Sequence, residues 1–215
     1  MEIESTQSGV ADEQRLPRRG LLAAGIGGAA VSLLPFLSGR ASASASTTTV
    51  PPTTAPPRRP SEDDTALLAQ MLQIELTAQG LYVEAIGGVD GWTDDEATVM
   101  TTLRQAHLAY ANSYSGLLGK SAPSTRAEEL FNQWKSDFRG STADVLKKAA
   151  ELESSLVASH LDMLGKLQGT NGAALAASIA VAEARHSTVL LDLAGVTDEG
   201  DLLVDNESDS LLGNG

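Results

Sequence analysis

Read at alternating steps of three and four residues, the chain carries four apolar stripes, each broken near its middle by an acidic or imidazole side chain. That spacing puts positions on one face of a helix, the face that a helical bundle buries. The first stripe is Leu68, Leu72, Glu75, Gln79, Tyr82, Ile86 and predicts a helix over 63–86. The second, Met100, Leu103, His107, Tyr110, Tyr114, Leu117, predicts one over 94–118. The third, Leu146, Ala149, Glu153, Leu156, His160, Met163, Leu167, predicts 142–167, and the fourth, Ala176, Ile179, Glu183, His186, Leu190, Leu193, predicts 173–194. Gly87-Gly88, Gly119 and Gly195 stand where the first, second and fourth helices should stop, and Gly169 lies just past the third. The connection between the second and third helices is the longest. It contains Pro123 and the stretch RAEELFNQWKSDF, which predicts a short extra helix placing Trp134 and Phe138 one turn apart on the flank. An all-α domain over 61–195 follows.

The flanks read differently. In residues 1–45, Arg18 and Arg19 precede a moderately apolar run, and Ala41-Ser42-Ala43 or Ala43-Ser44-Ala45 offers the small residues of a cleavage site. The segment resembles a twin-arginine signal, whose receptor reads the arginine pair and passes folded cargo. Its implied partner is the translocation machinery, engaged through Arg18 and Arg19, and its implied destination lies outside the cytoplasm, in the periplasm or cell envelope. Left uncleaved, the apolar run would be a membrane anchor. Residues 46–60, rich in Thr and Pro, read as an extended spacer. Ser61 and the acidic residues after it supply an N-cap and a first turn suited to the positive end of a helix. Residues 196–215 form an acidic tail with too few apolar positions to fold alone, and are expected to be disordered.

Composition narrows the chemistry. A net charge of -13 and a pI near 4.5 argue against nucleic-acid binding, which needs clustered cations. With 0 cysteines, disulfides, thiolate metal sites and thiol catalysis are excluded. No nucleophile elbow, glycine-rich phosphate loop or Ser/His/Asp set stands in the chain.

The remaining candidates are the polar interruptions of the stripes. A buried carboxylate costs several kcal/mol unless it is paired, protonated or bound to a cation. A single Glu in a stripe is usually a satisfied polar residue, but Glu75, His107, Glu153, Glu183 and His186 come from four helices. In antiparallel packing they fall at similar heights and could converge on one point, as a metal site requires. Glu183 and His186, three residues apart, put an oxygen and a nitrogen donor on one helix face. His160, two turns beyond Glu153, is about 10 Å further along the axis at ~1.5 Å per residue and reads as a packing or supporting residue. Tyr82, Tyr110 and Tyr114 read as core tyrosines with bonded hydroxyls.

Four stretches, MLQIELTAQGLYVEAI, AHLAYANSYSGLLG, AAELESSLVASHLDMLGKL and ASIAVAEARHSTVLLDLAG, resemble the ferritin-like domain family, in particular its exported bacterial branch that includes desiccation-related proteins. The resemblance covers about 61–195 and implies an antiparallel four-helix bundle with a long second-to-third connection. In metal-binding members, one Glu from each of the first and third helices and a Glu-x-x-His from each of the second and fourth hold two ions. Carried over, Glu75, Glu153, Glu183 and His186 would be direct ligands of iron or manganese. The second helix departs from the pattern, with His107 where the family has Glu and Tyr110 where it has His. Two readings stay open: a reduced site with iron or manganese and oxidase or peroxide-related activity, or a metal-free scaffold or interaction module at the cell envelope. A closed storage shell is disfavoured by the signal, the linker and the missing carboxylate.

Overall fold

The computed structural model describes residues 60–198, 200 and 208–213. The proposed signal over 1–45 and nearly all of the Thr/Pro spacer lie outside the described residues. Within them the chain is all-helical, with no strand: α1 (Glu62–Gly88), α2 (Asp94–Leu118), α3 (Glu128–Trp134), α4 (Thr142–Leu164) and α5 (Thr170–Leu193).

Local chemistry sets the helix starts. Ser61 Oγ accepts from the Asp64 backbone N–H, and Glu62, Asp63 and Asp64 fill the first turn of α1. Thr93 and Glu96 form a reciprocal capping box at the start of α2. Ser141 caps α4 through the Asp144 N–H. Gly119 stops α2 at φ +56, a left-handed conformation that costs glycine little. Gly87 and Gly88 remain helical, and α1 ends only at Val89. The third predicted helix stops at Leu164 instead of 167, and the fourth starts three residues early, at Thr170. The cause is Asp64, whose buried carboxylate accepts from the backbone N–H groups of Gln168 and Gly169 at 2.9 and 2.8 Å and so closes the α4–α5 turn. A Cβ on Gly169 would meet Asp64 Oδ2 at 2.8 Å, so only glycine fits that approach.

Short connections pair α1 with α2 and α4 with α5, and most helix packing lies within these two pairs. Their facing stripes make the core: Leu68, Leu72, Met100, Leu103, Leu146, Leu156, Met163, Ile179 and Leu190 are buried. The predicted stripe positions Gln79 and Ile86 are only half-buried, whereas Met71, Ile74, Ala78 and Leu81 are fully covered. The reason is α3, which packs on a second face of α1. Ala127 N donates to Thr77 Oγ1 at 3.0 Å, and the Arg126 guanidinium lies 3.4 Å from the Phe131 ring centroid beside Gly80. Trp134 and Phe138 do not share a helix. α3 ends at Trp134, and a separate 3-10 turn, Asp137–Arg139, buries Phe138 edge-on against Tyr82.

Part of the acidic tail is docked, contrary to the expectation of disorder. Leu211 is buried, its N–H donates to Ser159 Oγ at 2.7 Å, and Ser210 Oγ donates to Asp162 at 3.3 Å. One apolar side chain and one backbone bond to α4 seat a stretch whose composition reads as unfoldable alone.

Candidate metal centre

The polar interruptions of all four long helices meet in the core. Glu75 comes from α1, His107 from α2, Glu153 and His160 from α4, Glu183 and His186 from α5. All but His186 are 0% exposed, and the His186 side chain keeps 13%. The side chains form an alternating chain of imidazole and carboxylate. His186 Nδ1 lies 3.1 Å from Glu153 Oε2, and Glu153 Oε1 lies 2.9 Å from His107 Nε2. His107 Nδ1 lies 2.9 Å from Glu75 Oε2, Glu75 Oε1 lies 3.2 Å from His160 Nε2, and His160 Nδ1 lies 3.1 Å from the Tyr114 hydroxyl. Tyr82 adds a donor, its hydroxyl giving a 2.5 Å bond to Glu153 Oε1.

Two overlapping triads, His107–Glu153–His186 and Glu75–His107–Glu183, each bring three ligand atoms within 4.8 Å of one another. Every contributing atom is nitrogen or oxygen. Such a donor set suits iron and manganese; zinc more often takes a closed tetrahedral site.

The electrostatics follow from burial and pairing together. Burial alone would depress His107, but Glu153 and Glu75 on either side outweigh it and hold the imidazole well above its ordinary pKa. Burial likewise opposes the charge on His160, and Glu183 and Glu75 overcome it, lifting the pKa to about 10. Glu75 and Glu153 would be raised by burial, yet their histidine partners bring both below the usual carboxylate range. Glu183 is the exception. Burial, reinforced by the charges of Glu75 and Glu153 and opposed by His160, raises it to about 8.

Glu183 is also the one member without a hydrogen bond. His160 Nε2 stands 3.2 Å from its Oε2 and 3.2 Å from Glu75 Oε1, but only the Glu75 contact has hydrogen-bond geometry, and both Glu183 oxygens are buried without a hydrogen-bond partner. An orphaned acid in a cluster of donor atoms is what a cation site leaves when described without its ion. The residues present therefore fit a bound metal.

A family model described as the ferritin-like domain matches residues 63–196, more than half of the chain. The chain belongs to the ferritin-like domain family. No curated protein and no solved structure matches it.

Within this ferritin-like domain the structure gathers all five residues singled out from the sequence: Glu75, His107, Glu153, Glu183 and His186. It adds one. His160, read as a packing or supporting residue, contacts Glu75 and Glu183 directly at 3.2 Å. Axial distance between backbones was the wrong measure, because Glu75 reaches His107 with one oxygen and His160 with the other, stretching the cluster along the axis. The signal that could have found it is its place in the third stripe, which holds Glu153 as well. Tyr110 stacks on His186 with ring centroids 6.4 Å apart and meets His107 edge-on at 5.9 Å. It walls the site and fixes the His186 ring by packing.

Proposed function

We propose that the chain is an exported ferritin-like protein, a four-helix bundle whose buried carboxylate and imidazole cluster binds iron or manganese. The observation that carries this reading is Glu183, a wholly buried carboxylate with both oxygens unbonded beside three other donor side chains. Glu75, His107, Glu153, Glu183 and His186 would hold the ion. A bound iron or manganese ion supplies Lewis-acid polarisation and one-electron redox chemistry, in keeping with an oxidase or peroxide-related role. The chain's own part is positional: Tyr82 fixes Glu153 by its hydroxyl, Tyr110 packs against the His186 ring, and the surrounding apolar stripes exclude water. His186, the one partly exposed member, marks the side from which small solutes approach.

Export rests on Arg18, Arg19 and the small-residue cleavage sites after the apolar run. The twin-arginine route suits a metalloprotein, because the ion can be loaded before the folded domain crosses.

Loading the full-length chain with Mn2+ or, without oxygen, Fe2+, then desalting and measuring metal content and melting temperature, tests the reading. Bound metal and a raised melting temperature are expected, since an ion at 1,000 times its Kd adds roughly 4 kcal/mol of stability. Less than about a tenth of an equivalent retained, with melting unchanged, contradicts it.

The bonded chain from His186 to Tyr114 favours a second reading, a metal-free scaffold at the cell envelope. In it His107, charged between Glu75 and Glu153, does a cation's work. Under that reading Glu183→Ala leaves melting unchanged or raises it, and added iron or manganese has no effect on either protein.

A further inference from the structure

The two triads are not independent. They share His107, whose Nε2 faces Glu153 and whose Nδ1 faces Glu75. A neutral imidazole offers one lone pair, so it serves one ion at a time. A carboxylate at the same position could bridge two.

The half of the cluster around Glu75 is, in addition, already filled. His160 Nε2 stands 3.2 Å from Glu75 Oε1 and 3.2 Å from Glu183 Oε2, between the two carboxylates. With Nε2 facing the two carboxylates and Nδ1 facing the Tyr114 hydroxyl at 3.1 Å, both ring nitrogens are engaged within the protein and the ring fills the gap between the acids. The ring is stacked on Tyr114, with centroids 6.1 Å apart and planes 13° from parallel, in a wholly buried position. In the other half the Tyr82 hydroxyl donates to Glu153 Oε1 at 2.5 Å, but no imidazole is wedged between two carboxylates. There His107 Nε2 and His186 Nδ1 flank the Glu153 carboxylate at 2.9 and 3.1 Å, grouping two imidazoles and one carboxylate within reach of one ion.

We propose that His160 occupies the place of a second cation, so that this site takes one metal ion, held by His107, Glu153 and His186. Glu183, which groups with the shared His107 and accepts no hydrogen bond at either oxygen, would supply a fourth donor. His160 is then a positioning residue that keeps Glu75 and Glu183 apart from a second ion. This inference rests on the metal-binding reading above and narrows its five candidate ligands, leaving Glu75 paired with His160 instead of with the ion.

The test is a Mn2+ titration of the full-length chain, read by electron paramagnetic resonance and by elemental analysis after desalting, with circular dichroism confirming that each variant is folded. The wild type is expected to bind one equivalent. His186→Gln and Glu153→Gln should weaken binding by about 100-fold or more, and Glu75→Gln by less than about tenfold. His160→Gln, which keeps an N–H donor in the gap, should retain one equivalent, and His160→Ala should admit a second, weaker one. Two equivalents in the wild type, with the Mn–Mn coupling that goes with them, overturn this proposal and leave the metal-binding reading intact. Loss of the single ion in His160→Gln makes His160 a ligand and also overturns it, as does a site that survives Glu153→Gln but not Glu75→Gln. No bound ion in the folded wild type removes both readings.

Discussion

His160 and Glu183 meet at 3.2 Å in the centre of the domain, and the carboxylate still accepts no hydrogen bond. Burial, reinforced by the charges of Glu75 and Glu153 and only partly offset by His160, raises the Glu183 pKa to about 8. Without metal, Glu183→Gln should therefore stabilise the protein at about pH 9 by on the order of 2–4 kcal/mol and have little effect below about pH 4.5, where Glu183 is neutral in the folded and the unfolded chain alike. With Mn2+ present the same variant should lose most of the ion's stabilisation. Urea unfolding at both pH values, with and without the ion, measures all four quantities.

The whole cluster predicts a pH profile. The folded pKa of His160, about 10, lies above its ordinary 6.5, and that of Glu183, about 8, above 4.5. Across those windows the folded state holds protons that the unfolded chain releases, so stability falls as pH rises. The His160 contribution is complete below pH 6.5 and gone above about 10. Glu75 and Glu153 are lowered, so their contribution is lost as pH falls below 4.5. The metal-free protein should thus be most stable in mildly acidic solution and weaken toward alkaline pH. Metal ions compete with the same protons, so the loaded protein should lose this alkaline decline. Melting followed by circular dichroism in chelator and in Mn2+ checks both halves. A metal-free melting temperature that climbs from about pH 6 to 9 contradicts the assignment of charges.

His107 separates Glu75 from Glu153, with a ring nitrogen 2.9 Å from each. Its replacement by Leu leaves two buried carboxylates without their shared partner and should cost about 3–5 kcal/mol. Tyr110→Phe, which keeps the ring that packs on His186, should cost less than about 1 kcal/mol. Denaturant midpoints distinguish the two, and equal losses would show that His107 acts by packing alone.

At the end of the domain, Asp64 and Gly169 form a single device. Asp64→Ala strips acceptors from two backbone N–H groups and should cost about 1–3 kcal/mol. Gly169→Ala drives a Cβ to 2.8 Å from the same carboxylate. Because both changes break one contact, the double variant should be less destabilised than the sum of the singles, by about 0.5 kcal/mol or more. Full additivity would show the contact to be unimportant.

The helices and the cluster were legible in the sequence because both depend on periodicity. The middle of each three-and-four stripe faces the core, which places Glu75, Glu153 and Glu183 inside, although stripe positions such as Gln79 and Ile86 are only half-buried. Illegible features depended on partners far away in sequence. The early start of α5 is set by Asp64, on another helix. The second buried face of α1 exists because α3 lands on it, and no periodicity within 63–86 encodes that docking. Phe138 left the short helix because the chain turns after Trp134 to bring the ring onto Tyr82. His160 was missed for a different reason, since glutamate side chains bridge an axial gap that backbone spacing alone makes too wide.

The position of a bound metal ion separates a metal centre from a metal-free scaffold most directly. Crystals of the full-length protein grown with Mn2+, with anomalous scattering measured near the manganese edge, would locate it. One peak within coordination distance of Glu153, His107 and His186, inside the apolar core, is the predicted result. A well-ordered domain with manganese only at surface carboxylates, and the bond from His107 to Glu153 undisturbed, would contradict it.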